Sequence, residues 1–215
     1  MSAIQKKPRL TKRQLQAIET KKKIYDAAVQ VINEKGFGNV SIEDITTRAN
    51  VAKGSFYTYF KSKEDLLFDT FRQSDAVYAQ AFARVQDEDF LPMVTRFVKI
   101  SYTEYEKRGK GIIKAIVANY FTFPDNNFYG EDRDLLKCLN HIVTKGKLQN
   151  HLSAHVPTTQ YVSLLLSTLI GAEVMWCIDD RGSCLADMVA DAIEVAARGM
   201  MQMAAVPAKE IAVNA

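Results

Sequence analysis

At 215 residues the chain is long enough for one large domain or a small domain joined to a larger one, and a hydrophobic content of 47% supplies a sizeable core. Three cysteines, Cys138, Cys177 and Cys184, are too few and of the wrong parity for a disulfide framework, and no apolar stretch follows the basic N-terminus as a secretion signal requires, so a reducing cytoplasm is the expected location. The net charge of +3 is unevenly spread: 13 of the 28 Lys and Arg but only 7 of the 25 Asp and Glu lie up to Asp65, which leaves the head at +6 and the body at −3. A basic head on a mildly acidic body points to a polyanion met by the head alone, although a solvated surface bias gives the same numbers.

In chain order, residues 1–10 read as a flexible basic arm with Lys6, Lys7 and Arg9 around Pro8. A first helix follows, with Ile24, Ala28, Val31 and Ile32 on one face and Thr11 or Thr20 as its cap. Gly36 ends it, since glycine accepts a positive φ, and Phe37 is expected to fold back onto the core. Ser41-Ile-Glu-Asp44 matches a capping box and starts a second helix that turns Ile42, Ile45 and Ala49 inward. Asn50, tolerant of a left-handed turn, ends it, and Val51 fills the corner. A short third helix spans Lys53 to Phe60. Ser62-Lys-Glu-Asp65 is a second capping box and predicts a long helix through Leu66, Leu67, Phe71 and Tyr78, up to a bend near Asp87 to Pro92.

Further helices are predicted at Met93 to Lys107, Gly111 to Phe123, Asp132 to Gln149, Thr159 to Ile178 and Leu185 to Met203. Loops fall at Pro124 to Asn127 and His151 to Pro157, and a frayed tail follows Pro207. The longest apolar run, Tyr161 to Ile178, is interrupted by Ser163, Ser167, Thr168 and Glu173. A charge at mid-span is costly in lipid, so the run reads as a buried helix and no membrane partner is expected. No strand alternation and no internal repeat appear. The fold class is therefore all-α, with a head over residues 1–65, a helical body over 66–205 and a tail over 206–215.

Two short helices joined by a tight corner are what a helix-turn-helix needs. At 100° per residue, Phe56 and Phe60 of the second fall together toward the core. Gly54, Ser55 and Thr58 fall opposite, and Tyr57 and Tyr59 flank them. Such a face of small polar groups can lie close to base edges while its rim holds the phosphates. Periodicity alone fits a plain capped helix pair equally well.

The stretch Thr20 to Leu67 resembles the tetracycline-repressor (TetR) family of bacterial regulators. The residues that carry the likeness are Thr20-Lys-Lys-Lys-Ile24-Tyr-Asp-Ala-Ala28, Gly36-Phe37, Ser41-Ile42, Asn50-Val51-Ala-Lys-Gly54-Ser-Phe-Tyr57-Thr-Tyr59-Phe60, Ser62-Lys63-Glu64 and Leu66-Leu67. The resemblance implies a ligand-responsive regulator, usually a repressor, bound as a homodimer to a palindromic double-stranded operator and released by a small-molecule effector. It implies that Lys53, Gly54 and Ser55, with Thr58 on the same face, read base edges. Tyr57 and Tyr59 would contact the groove flank and phosphate, Lys63 would anchor a phosphate, and Ser41 and Thr47 would touch phosphate as well. Ala52 departs from the family's frequent serine or threonine, leaving the third helix without a side-chain cap at a cost of about 1 kcal/mol. The lysines Lys21 to Lys23 read as phosphate contacts or as a solvated face.

The resemblance further implies that the last two helices pair with those of a second copy. The sequence permits it: the helix from Thr159 is apolar nearly all round, and Ala192, Ala196 and Ala197 allow close approach in the last one. An effector cavity is expected among the middle helices. The candidates to line it are Phe97, Tyr102, Tyr105, Asn119, Tyr120, Phe123, Cys138, His141, Met175 and Trp176, a mix suited to an apolar or aromatic molecule. Each reads equally as plain core. Cys138 with His141, and His151 with His155, have spacings zinc could use, but the two sets need not converge and no metal or cofactor is expected. Cys177 and Cys184 could form a redox switch, but buried inert thiols are the default reading. An enzyme is the rival class, yet no phosphate loop, nucleophile elbow or catalytic carboxylate pair is present.

Overall fold

Thr11 is where the first helix begins in the structure, a computed structural model that describes residues 11–123 and 132–205. The expected basic arm, the loop at Pro124 to Asn127 and the tail lie outside the described residues. Among those described there are helices and turns and no strand. They fall into two compact units, the first ending at Leu67 and the second starting at Phe68.

In the first unit, α1 (Lys12–Lys35) is capped reciprocally. Thr11 Oγ1 accepts from the Gln14 amide at 3.3 Å, and Gln14 Oε1 accepts from the Thr11 amide at 2.8 Å. Thr20 sits inside the helix and returns its hydroxyl to the Gln16 carbonyl. Ile24, Ala27, Ala28, Val31 and Ile32 form the buried face. Gly36 ends α1 at φ +77 and ψ 145, a backbone open to glycine but strained for other residues. A short 3-10 turn (Phe37–Asn39) follows, and here the expectation for Phe37 is corrected. Val40 enters the core, whereas Phe37 is half-buried with the Lys63 ammonium 4.6 Å from its ring centre.

The predicted box at Ser41 forms at the start of α2 (Ile42–Ala49), with Ser41 Oγ accepting from the Asp44 amide and Asp44 Oδ2 accepting from the Ser41 amide. Ile45 and Thr46 are its buried residues. Ile42 and Ala49 are half-buried. Asn50 takes the left-handed conformation (φ 53, ψ 50), and α3 (Lys53–Tyr59) follows. Helices α1, α2 and α3 pack on one another.

The boundary between the units falls within α4 (Lys63–Arg72). The second predicted box forms in altered shape: Ser62 Oγ accepts from the Asp65 amide at 3.2 Å, but the Asp65 carboxylate takes the Lys61 amide at 2.9 Å. The single long helix expected through Tyr78 is instead interrupted at Gln73, after which α5 (Ser74–Phe82) begins. Arg108 supplies a cause. Its guanidinium donates to the Thr70 carbonyl at 3.0 Å and to Ser74 Oγ at 2.6 Å, and the Thr70 carbonyl is the acceptor an unbroken helix gives the Ser74 amide.

The second unit continues with α6 (Phe90–Glu106), α7 (Lys110–Ala118), α8 (Asp134–Leu148), α9 (Thr158–Ile178) and α10 (Leu185–Ala205). Helix α10 packs most extensively on α6 and also on α9; α8 lies against α5, α6 and α9, and α7 against α9. Helix α7 stops short of its predicted end at Phe123 because the Asn119 side chain takes the Ala115 carbonyl at 2.8 Å, while the Asn119 amide shifts to the Ile116 carbonyl. Helix α9 is long and apolar enough to cross a membrane by length and composition, but its Tyr161, Leu165, Leu169 and Trp176 are buried against its neighbours.

Gly146 marks a close approach in this unit. A Cβ there would lie 2.6 Å from Phe90 Cδ2 and 3.0 Å from Leu152 Cδ1. Phe90 is fully buried and has little room to swing away. Gly146→Ala is therefore expected to lose more by overlap than the roughly 1 kcal/mol it gains in helix propensity, for a net destabilisation of about 1–2 kcal/mol. Thermal unfolding checks this, and an unchanged or higher Tm contradicts the close approach.

Candidate nucleic-acid interface and body cavity

The face of α3 is fixed from behind. Phe56 and Phe60 are buried with ring centres 5.6 Å apart, and the Lys21 ammonium lies 5.2 Å from the Phe60 ring centre. On the other side Lys53, Gly54 and Thr58 are exposed, Tyr57 is 53% exposed, and Ser55 and Tyr59 are half-buried. Ala52 makes no side-chain cap. A Cβ on Gly54 would meet nothing within 4 Å, so no neighbour among the described residues requires glycine there.

The cations around this face have partners within the first unit. Lys53 pairs with Glu43 of α2, whose hydrogen bond and charge hold the ammonium above its ordinary pKa and the carboxyl below its own. Lys22 pairs with Asp26 and Lys23 with Glu19. Ser41 is exposed and spends its hydroxyl on Asp44, and Thr47 is exposed. Two cross-helix ties had no signal in the periodicity: Arg48 to Glu34 at 2.6 Å and Lys35 to Asp44 at 2.6 Å, both joining α1 to α2.

Lys63 is placed differently from the sequence expectation. It is half-buried, and its ammonium donates to the Phe37 carbonyl at 3.0 Å and the Val40 carbonyl at 3.2 Å. It is a strut for the loop after α1, adding a donor to the Phe37 carbonyl, which also takes the Val40 amide, and to the Val40 carbonyl. Lys63→Met keeps the aliphatic stem and removes the donors, and is expected to cost about 1–2 kcal/mol. Denaturant unfolding of the variant tests this, and a wild-type midpoint would return Lys63 to a purely surface role.

The second unit encloses a cavity of about 20 Å³, about the room of one water molecule. It brings together three of the predicted lining residues, Tyr102, Tyr105 and Tyr120. The other seven do not line it. Phe97 packs on Tyr78 and Phe82, and Phe123 stacks on Phe71 at 5.3 Å. Asn119 is spent on the end of α7. Cys138 is buried beside the Tyr78 carbonyl, and burial pushes its thiol up to about 12. His141 is exposed against the Phe82 ring, so Cys138 and His141 share no site. Among the described residues no group of three or more His, Cys, Asp or Glu converges to hold a metal. Trp176 donates to the Ser183 carbonyl at 2.6 Å and Met175 is 58% exposed; neither lines the cavity, which α9 reaches with Leu166, Leu169, Ile170 and Glu173.

Sequence reasoning missed the polar groups of this cavity. Glu173, only 4% exposed, accepts a hydrogen bond from the Tyr102 hydroxyl at 2.5 Å on one oxygen and from the Tyr120 hydroxyl on the other. Burial raises its carboxyl pKa, against the pull of the two phenols. Burial also raises the phenols of Tyr78, Tyr102, Tyr105 and Tyr120, which keeps them protonated donors. Arg133 is buried, donates to Asp75 at 2.9 Å and lies 4.0 Å from the Phe71 ring centre. The signal for Glu173 was in the sequence: a carboxylate in the middle of an apolar helix.

These features define a class: an all-helical protein with a helix-turn-helix unit followed by a unit of packed helices. Residues 24–70 match the family of bacterial regulatory proteins known as the tetR family. A fatty acid metabolism regulator protein of Bacillus subtilis (strain 168) is 46% identical over 50 residues, which are 23% of this chain and 26% of that protein, so the matched stretch spans about a quarter of the relative. In structure, the fatty acid degradation regulator FadR from Bacillus halodurans aligns with a TM-score of 0.71 at 20% identity, over 84% of this chain and 96% of that one. FadR from Bacillus subtilis, solved in complex with stearoyl-CoA, aligns with a TM-score of 0.67 at 19% identity, over 83% and 98%. The family match covers the helix-turn-helix and most of α4, and the likeness to the two FadR structures shows the fold over most of the chain.

Proposed function

We propose that the chain is a ligand-responsive, DNA-binding transcriptional regulator of the cytoplasm, a repressor that holds a palindromic operator as a homodimer and releases it when a small effector enters the second unit. The observation that carries this reading is α3: a small, polar, exposed face of Gly54, Ser55 and Thr58, edged by Tyr57 and fixed by Phe56 and Phe60. Glycine at position 54 serves no contact among the described residues, and it weakens a helix. Close approach by a base edge gives it a purpose. Lys53 must exchange Glu43 for DNA, and an exposed pair of this kind opposes that exchange by only about 0–1 kcal/mol. Tyr57 and Tyr59 hold the groove flank, and Ser41 and Thr47 reach phosphate.

Exposed apolar side chains support the dimer: Leu164, Met175 and Ile178 on α9, Val195 and Met203 on α10. Pairing these helices with a second copy covers them and sets two α3 helices about 34 Å, one turn of duplex, apart or a multiple of it. The complex of Bacillus subtilis FadR with stearoyl-CoA supports an apolar effector within this fold.

Selection of the purified chain on a random duplex pool tests the proposal. A palindromic site is expected to emerge. Tyr57→Ala is expected to bind it about tenfold or more weakly at an unchanged Tm. Equal affinity for random duplex and the selected site, or no binding to either, would sink the regulator reading.

A further inference from the structure

Glu173 makes the cavity of the second unit more particular than an apolar pocket. A carboxylate buried to this degree is costly unless a cation or hydrogen bonds compensate it. Among the described residues no cation pairs with Glu173, and its hydrogen-bond partners are the two phenol hydroxyls. Arg133 also lines the cavity, but its guanidinium is turned to the Asp75 carboxylate and the Phe71 ring. Arg108, outside the lining, donates to the Thr70 carbonyl and Ser74. Among the described residues the interior therefore presents one carboxylate without a counter-ion, in a cavity that Tyr78, Tyr102, Tyr105 and Tyr120 also line.

We propose that this cavity binds a monovalent organic cation, an ammonium or a delocalised heteroaromatic cation on an apolar body, with Glu173 as its counter-ion and the tyrosine rings as its cage. The inference rests on reading the second unit as the effector-binding one. Aromatic faces attract cations, most strongly where water is excluded. The Phe71 ring under Arg133 shows the same chemistry already in use on the cavity wall. An anionic group in this place would face the Glu173 carboxylate and gain nothing from it. The enclosed space of about 20 Å³ admits no such guest as it stands, so entry displaces a side chain. Tyr120 is the one, half-buried in the turn after α7 and bonded to Glu173. Its hydroxyl holds the carboxylate until the cation takes over.

Isothermal titration of the full chain with three molecules of one body and different charge tests this: phenylpropyl-trimethylammonium, phenylpropanol and phenylpropanoate. The cation is expected to bind about tenfold or more tightly than the other two. Glu173→Gln, checked by circular dichroism to be folded, is expected to erase that preference. Tyr120→Phe keeps the ring, frees the carboxylate of one donor, and is expected to bind the cation at least as tightly as the wild type. Equal binding of the three, no binding by any, tightest binding by the anion or by stearoyl-CoA, or an unaltered preference in Glu173→Gln would overturn the proposal. Affinity for the selected operator without ligand is measured in parallel: if it persists, only the cation assignment falls, and if it too is missing, the regulator reading falls separately.

Discussion

Replacing Phe56 by alanine is expected to remove about 3–5 kcal/mol of stability from the first unit and operator binding with it. The size follows from how α3 is held. It has seven residues, fewer than an isolated helix needs to persist in water, and Ala52 gives it no side-chain cap. Its place therefore depends on packing, and Phe56 is its fully buried residue, in contact with Phe60 and edge-on to Tyr57. Alanine leaves a void the size of a ring beneath the helix. Domain stabilities run to about 5–15 kcal/mol in total, so a loss of this order unfolds a large fraction of a small unit. Tyr57→Ala, one residue along on the exposed side, is the control: it should keep the unfolding midpoint and lose DNA affinity only. Denaturant unfolding and duplex titration on the two variants separate fold from recognition. A wild-type midpoint in Phe56→Ala would mean that the phenylalanine does not anchor the helix.

Local chemistry explains why the head was legible. A capping box spans four residues, and the left-handed turn at Asn50 needs one, so Ser41 to Asp44, Asn50 and the two-sided α3 could be read without knowledge of the fold. What failed depended on partners remote in sequence. The break at Gln73 follows from Arg108 reaching the Thr70 carbonyl, and no pattern within residues 62–78 announces it. Lys63 was assigned to phosphate through the family resemblance alone, and its bonds to the carbonyls of Phe37 and Val40, 26 and 23 residues away, had no local signal. In the body, α9 is apolar on every side, so periodicity gave it no inward direction. Met175 and Trp176 were named for their chemistry; the phase of the helix turns Met175 away from Glu173 and Leu169, and Trp176, further along, is engaged by the Ser183 carbonyl.

The pair Arg133 and Asp75 is expected to show an asymmetric response. It joins α5 to the residue that begins α8, with side-chain exposures of 3% for the arginine and 20% for the aspartate. Removing one partner of a buried pair costs about 3–5 kcal/mol, because the other keeps its charge away from water. Here the two partners differ in what they can recover. Asp75, left alone by Arg133→Met, can draw water to its exposed edge, so that variant should lie at or below the bottom of the range. Arg133, deprived of this carboxylate by Asp75→Leu, stays enclosed against Phe71 and cannot be deprotonated, so that variant should cost more than Arg133→Met. The double variant should be more stable than Asp75→Leu alone, since it no longer buries a guanidinium that has lost the Asp75 carboxylate. Thermal unfolding of the three variants measures the cycle. Equal losses in the two single variants, or simple addition in the double, would mean that water already screens the pair and that this wall of the cavity is not dry.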